Sequence, residues 1–256
     1  MLFDTHAHIN DSRFDDDRED ILNSLKDKNV GAYVEIGTDI ESSYKAIELA
    51  EKYDFIYAAV GMYPHDTENM TDADLAELKN MCKHEKVVAI GEIGLDYYWD
   101  GTPKDVQKHW FKKQLELASE LNMPVVIHSR DAMGDTIDIL KNTQNCGGII
   151  HCYSGSAESA KILLNLGFYI SFAGPLTFKN AKNLCEAALV VPDDRLLIET
   201  DSPYLSPEPY RGKRNYPANV GEVAKKLAEL KNTTYEYIQE ITYENALKVY
   251  NIKNRG

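Results

Sequence analysis

The sequence predicts an α/β protein, a (β/α)8 TIM barrel folded as a single domain over residues 1–256, and three observations carry that expectation. Short apolar or β-branched runs recur eight times, helical stretches separate them, and eight units in 256 residues leave about 32 residues each, the size of one strand–helix repeat. Near-continuous apolar strands are buried on both faces, and strands joined by helices pair in parallel through crossovers. That count fits a closed barrel better than a doubly wound open sheet.

In chain order the predicted strands are Leu2-Phe3, Ala32-Tyr33-Val34, Ile56 to Val60, Val87 to Ile90, Val125-Val126-Ile127, Ile149-Ile150, Phe168-Tyr169-Ile170 and Leu196-Leu197-Ile198. Helix starts are marked by Thr71 with Asp74, by Thr102 with Pro103 at the first helical position, and by Ser156 after a glycine. Two last helices, around Val220 to Leu230 and Tyr235 to Tyr250, would complete the outer ring.

Composition narrows the function. At 43% hydrophobic and 27% charged residues, with 15 Gly and 9 Pro, the chain has the profile of a soluble globular domain. Its 28 Lys and Arg against 41 Asp and Glu give a net charge of -13, a field that repels polyanions and excludes a broadly basic nucleic-acid binder. The start MLFDTHAHIN carries no basic and then apolar leader, and nowhere do 18 apolar residues run together. A cytoplasmic protein without a membrane partner is expected. Cys82, Cys146, Cys152 and Cys185 form no C-x-x-C pair and are expected to be reduced core thiols.

The ionisable residues stand at the strand ends. The first strand runs into Asp4-Thr5-His6-Ala7-His8, the fourth into Gly91-Glu92, the fifth into His128, the sixth into His151 and the eighth into Glu199-Thr200-Asp201. In a parallel barrel these C-terminal ends meet on one rim, so residues far apart in sequence become neighbours. His6 and His8, two apart on an extended segment, point the same way from backbone positions roughly 6.6 Å apart. Four His and two carboxylates exceed the needs of one tetrahedral ion and point to two divalent ions roughly 3.5–4 Å apart. His6, His8 and Asp201 would hold one ion and His128 and His151 the other, with Glu92 bridging through its two oxygens. Such a mixed donor set accepts Zn, Mn, Ni or Mg. Cys152, next to His151, is expected to pack outward against a helix and stay inert, and Arg130 to pair with a barrel carboxylate.

These residues fall in longer stretches: Phe3 to His8, Gly91-Glu92-Ile93-Gly94-Leu95-Asp96, Ile127-His128-Ser129-Arg130, His151-Cys152-Tyr153-Ser154-Gly155 and Glu199 to Leu205. Through them essentially the whole chain resembles the TatD family of metal-dependent deoxyribonucleases in the amidohydrolase-like barrel superfamily. The resemblance implies a divalent-metal phosphodiesterase with DNA as its partner and substrate, often working from the 3′ end, with the six ligands carried over. Where the family usually has Gly-x-His-Pro-His, this chain reads Gly61-Met62-Tyr63-Pro64-His65. The substrate role therefore carries to His65, while Tyr63 departs from the pattern.

After the eighth strand, Pro207 to Pro217 holds Arg211, Lys213 and Arg214, the densest basic run in an acidic chain. Arginine forks fit phosphate oxygens and the interleaved tyrosines suit bases, so these three cations and His65 are expected to orient the phosphate. Asp201 is the expected catalytic acceptor of a proton from the attacking water, with Glu92 the other catalytic carboxylate. Two rival functions use the same rim: an amidohydrolase-type hydrolase of C–N bonds or lactones, and a non-catalytic metal-binding scaffold. The basic run favours phosphate over the first, and the second predicts bound metal without turnover.

Overall fold

Parallel strands need a crossover between each pair, and the chain supplies one at every step. Strands β1 (Leu2–Ala7), β2 (Val30–Ile36), β3 (Ile56–Val60), β4 (Val87–Asp96), β5 (Val125–Arg130), β6 (Gly148–Ile150), β7 (Tyr169–Phe172) and β8 (Leu196–Ile198) pair in parallel, in sequence order, in one eight-stranded sheet. A parallel bridge between Ala7 and Ser202 brings the exit of β8 back to β1 and closes the barrel. This computed structural model describes residues 1–253, so the last three positions of the expected domain lie outside the described residues.

Around the sheet run α1 (Arg18–Ser24), α2 (Ile40–Lys52), α3 (Asp72–Met81), α4 (Lys104–Leu121), α5 (Met133–Asn142), α6 (Ala157–Asn165), α7 (Lys182–Val190), α8 (Val220–Leu230) and α9 (Tyr235–Val249). Thr71 and Asp74 close a reciprocal capping box on α3, and the Ser156 side chain accepts the Ser159 N–H at the start of α6. At α4 the structure corrects the expected start. Pro103 is the N-cap, extended at ψ 143°, and the Thr102 hydroxyl donates to the His65 carbonyl instead of capping the helix. None of the described helices is long and apolar enough to cross a membrane.

Strand alternation divides the core in two. One set, including Phe3, Val34, Ala59, Ala89, Val126, Ile149 and Leu197, forms a cluster with Tyr250, whose hydroxyl donates to the Thr5 carbonyl and plugs one end. The alternate set packs against the helices. All four cysteines are free, as expected, but they are not core residues: Cys146 is exposed and the other three are half-buried, with Cys82 capping α3, Cys185 within α7, and Cys146 and Cys152 in loops.

Candidate metal centre

Ladder geometry brings the ionisable residues together. At the seam between β1 and β8, the Asp201 N–H donates to the His6 carbonyl at 2.9 Å and the His8 N–H to the Ser202 carbonyl at 2.8 Å. Below them the buried Asp4 accepts the Thr200 N–H at 2.9 Å and its hydroxyl at 2.5 Å, tying the two strands together. β4 runs on past the predicted Ile90 to Asp96, in register with β5 so that Gly94 faces His128 and Asp96 faces Arg130. Gly94 makes this approach possible: its φ is +141°, and a Cβ there would stand 2.0 Å from the His128 carbonyl oxygen.

The six expected ligands converge. Glu92 points its Oε1 at His128 Nδ1 and His151 Nε2, both at 2.8 Å, and its Oε2 at His6 Nε2 and His8 Nε2, at 3.4 and 3.6 Å. Asp201 Oδ1 lies 3.6 Å from His6 Nε2 and 3.5 Å from His8 Nε2. Each Glu92 oxygen therefore serves a different imidazole pair, and the clusters His6–His8–Glu92 and Glu92–His128–His151 each suit a metal ion.

The outer ring nitrogens test whether these residues fit metal. An imidazole that donates from one nitrogen presents a lone pair at the other, and metal-binding histidines are commonly held this way. His8 Nδ1 lies 3.1 Å from the Ile36 carbonyl, His128 Nε2 3.2 Å from Asp96, and His151 Nδ1 3.2 Å from Glu199. In all three the free nitrogen faces Glu92. No Lys or Arg forms an ion pair with Glu92 or Asp201 among the described residues, which leaves the carboxylates to the imidazoles. The donor set fits divalent metal.

Electrostatics agree with that fit. Burial opposes the charge on Glu92, but His151 and His6 overcome it and hold the carboxyl well below the usual range. Burial and the neighbouring His151 lower His6 against the pull of Glu92. For His8 burial acts downward, yet the Asp201 hydrogen bond and the Glu92 charge raise it to about 9. Asp201 is lowered against burial by His8 and His6 and stays ionised.

Two cavities share this centre as a wall. The larger, about 660 Å³, and the smaller, about 260 Å³, have His128, Arg130, His151, Asp201 and Leu205 in common. The structure does not bring the other expected substrate residues here. His65 sits behind Asp96, its buried Nε2 3.9 Å from Asp96 Oδ1. The Arg211 guanidinium lies over Phe178, Arg214 is tied to Asp17 and the Arg13 carbonyl, and Lys213 is exposed; none lines either cavity.

Other residues enter instead. Asp96, fully buried, accepts from Tyr63 Oη at 2.6 Å while holding His128, so Tyr63, which stands where the family pattern has His, leans on the carboxylate behind His128. Cys152 does not pack outward against a helix. β6 ends at Ile150, so strand alternation no longer applies, and Cys152, at φ +41°, lines the smaller cavity with its thiol pushed far up by burial and nearby carboxylates. Arg130 pairs with no carboxylate among the described residues; its guanidinium lies over Tyr98 and Trp99. Asp96 stood in the glycine-rich stretch Gly91 to Asp96, but only its contact with His128 shows what it does.

Residues 3–251 match the family described as TatD related DNase. The chain is 51% identical over 254 residues to an uncharacterized metal-dependent hydrolase, YabD, of Bacillus subtilis strain 168, covering 98% of this chain and 100% of that protein. It is 32% identical over 260 residues to the 3′-5′ ssDNA/RNA exonuclease TatD of Cronobacter sakazakii, covering 99% and 98%. Among solved structures, the TatD homolog YJJV of Escherichia coli K12 superimposes with a TM-score of 0.91 at 30% identity, over 98% of each chain.

Proposed function

Because the chain belongs to the TatD related DNase family, we propose that it is a two-metal phosphodiesterase that removes nucleotides from the 3′ ends of single-stranded DNA. The division of Glu92 between two imidazole pairs at the wall of an open cavity is the observation that carries this reading. His6, His8 and Asp201 would hold one ion, His128 and His151 the other, and Glu92 both; Zn, Mn, Mg and Ni all suit this set. When bound, such ions lower the pKa of water and offset charge on phosphate oxygens. Asp201 then takes the proton of the attacking water: its side chain borders both cavities and is held ionised at neutral pH. Asp96 and Glu199 keep His128 and His151 turned inward. Arg211 and Lys213, exposed outside the cavities, are assigned to phosphates further along the strand.

The test is a chelator-stripped, then metal-restored assay on single-stranded DNA labelled at its far end, run beside dihydropyrimidine and lactone substrates. Stepwise shortening from the 3′ end that returns with metal is expected. Turnover of a small amide or lactone without DNA cleavage would transfer the site to C–N or ester chemistry, and metal binding with no turnover would make the protein a scaffold.

A further inference from the structure

Beside His128 the loop after β4 presents two large aromatic side chains to solvent: Tyr98 is 53% and Trp99 58% exposed. The Arg130 guanidinium lies 3.7 Å from the Tyr98 ring centroid and 5.5 Å from that of Trp99. Trp99 and Arg130 both line the larger cavity. Arg130 is two residues from His128, at the end of β5, and no carboxylate neutralises it among the described residues. Across the cavity, Tyr204 has a similar partner in Arg13 at 4.2 Å, but Arg13 is held by Asp11 at 2.7 Å. One wall therefore offers an open cation with an aromatic face, and the other a cation already paired.

An open aromatic face suits a nucleobase, whose π surface stacks without regard to sequence, and an unpaired guanidinium suits a phosphate. We propose that Trp99, Tyr98 and Arg130 form a clamp on single-stranded polynucleotide: a base stacks on Trp99, and Arg130 holds a phosphate of that strand beside the carboxylate–imidazole cluster. The clamp rests on the phosphodiesterase reading above and names a grip beside the carboxylate–imidazole cluster, where the distant Arg211–Arg214 run does not reach.

Trp99 supplies its own probe. The chain has two tryptophans, and Trp110 on α4 is 8% exposed, so a change in emission on binding reports Trp99. The metal-loaded protein is titrated with a short oligothymidylate whose linkages are phosphorothioate and resist hydrolysis. Saturable quenching is expected in wild type and in Trp110→Phe and absent in Trp99→Phe. In hydrolysis, wild type should have a KM for normal oligothymidylate about 5- to 150-fold below that for an abasic oligomer of equal length, the size of one stacked base. Trp99→Ala should bring that ratio close to one at unaltered metal content, with Trp99→Phe intermediate. Arg130→Ala should raise KM for both oligomers and flatten its salt dependence, and Arg130→Lys should restore the salt dependence. Absent quenching in wild type, or a ratio in Trp99→Ala equal to wild type, overturns the clamp while leaving the phosphodiesterase intact if DNA is still cut. Should wild type cut neither oligomer, the phosphodiesterase reading falls and the quenching titration alone decides the clamp.

Discussion

Asp201 combines two properties that one substitution separates. It stands within 3.6 Å of both His6 and His8, and it is an ionised carboxylate at the edge of both cavities. Asn keeps the shape and a carbonyl oxygen to coordinate with, but cannot take a proton. Asp201→Asn, assayed with saturating metal, is expected to lose about 10²- to 10⁴-fold in kcat while keeping metal content and KM. A variant within a few-fold of wild type would remove Asp201 from the proton step. Glu92→Ala should instead empty the centre, because both imidazole pairs lose the oxygen facing them; elemental analysis would then find well under two ions per chain, whereas full occupancy would refute the bridge.

At the scale of one element, β4 does the most to shape the centre. Its ten residues carry Glu92 in the middle and Asp96 at the end, and Gly94 between them lets β5 approach closely enough to set His128 beside both. Asp96→Asn removes charge behind His128 without touching a ligand, and carboxylates in that position commonly strengthen metal binding by about 10- to 100-fold. We expect a loss of that size in the affinity of the weaker site by calorimetry, with the fold intact. Affinity equal to wild type at both sites would show that Tyr63 and packing hold His128 unaided. The tip of this element was the least legible part of the sequence. The apolar run Val87 to Ile90 marks the strand, but Gly91, Glu92, Gly94 and Asp96 break the apolar pattern after it, and only pairing with β5 extends the strand to Asp96.

For the whole molecule, the histidine cluster links metal, protons and stability. In the metal-free protein His8 is raised to about 9, and His128 and His151 are also raised, because Glu92 and its neighbouring carboxylates outweigh burial. A folded pKa above the unfolded 6.5 contributes stability that is complete below about pH 6.5 and lost as pH rises through about 9. Metal must displace those protons, so its affinity climbs over the same window. The chelated protein is therefore expected to lose Tm between pH 6.5 and 9 and the loaded protein much less, so that the gain in Tm on loading widens with pH. Thermal scans of both forms, with calorimetry in buffers of different ionisation enthalpy, check this; a metal affinity flat across the window would contradict it.

Strand number, parallel order and the gathering of six donor residues on one rim were determined by sequence alone, because each rests on a local pattern. Apolar runs such as Val125-Val126-Ile127 mark buried parallel strands, and in such a barrel every strand end reaches one rim, whatever the loops do. His6, His8, Glu92, His128, His151 and Asp201 were therefore legible as a set. Proximity across loops is not a local property, and there only tertiary structure decided. The cations of Arg211 to Arg214 were near Asp201 in sequence, yet the loop carries them out to Phe178 and Asp17, while Arg130 and Trp99, on different elements, meet because β4 and β5 pair. Charge density along a chain shows where cations cluster in sequence; which guanidinium is left unpaired beside His128 depends on the carboxylates that the fold sets around each one.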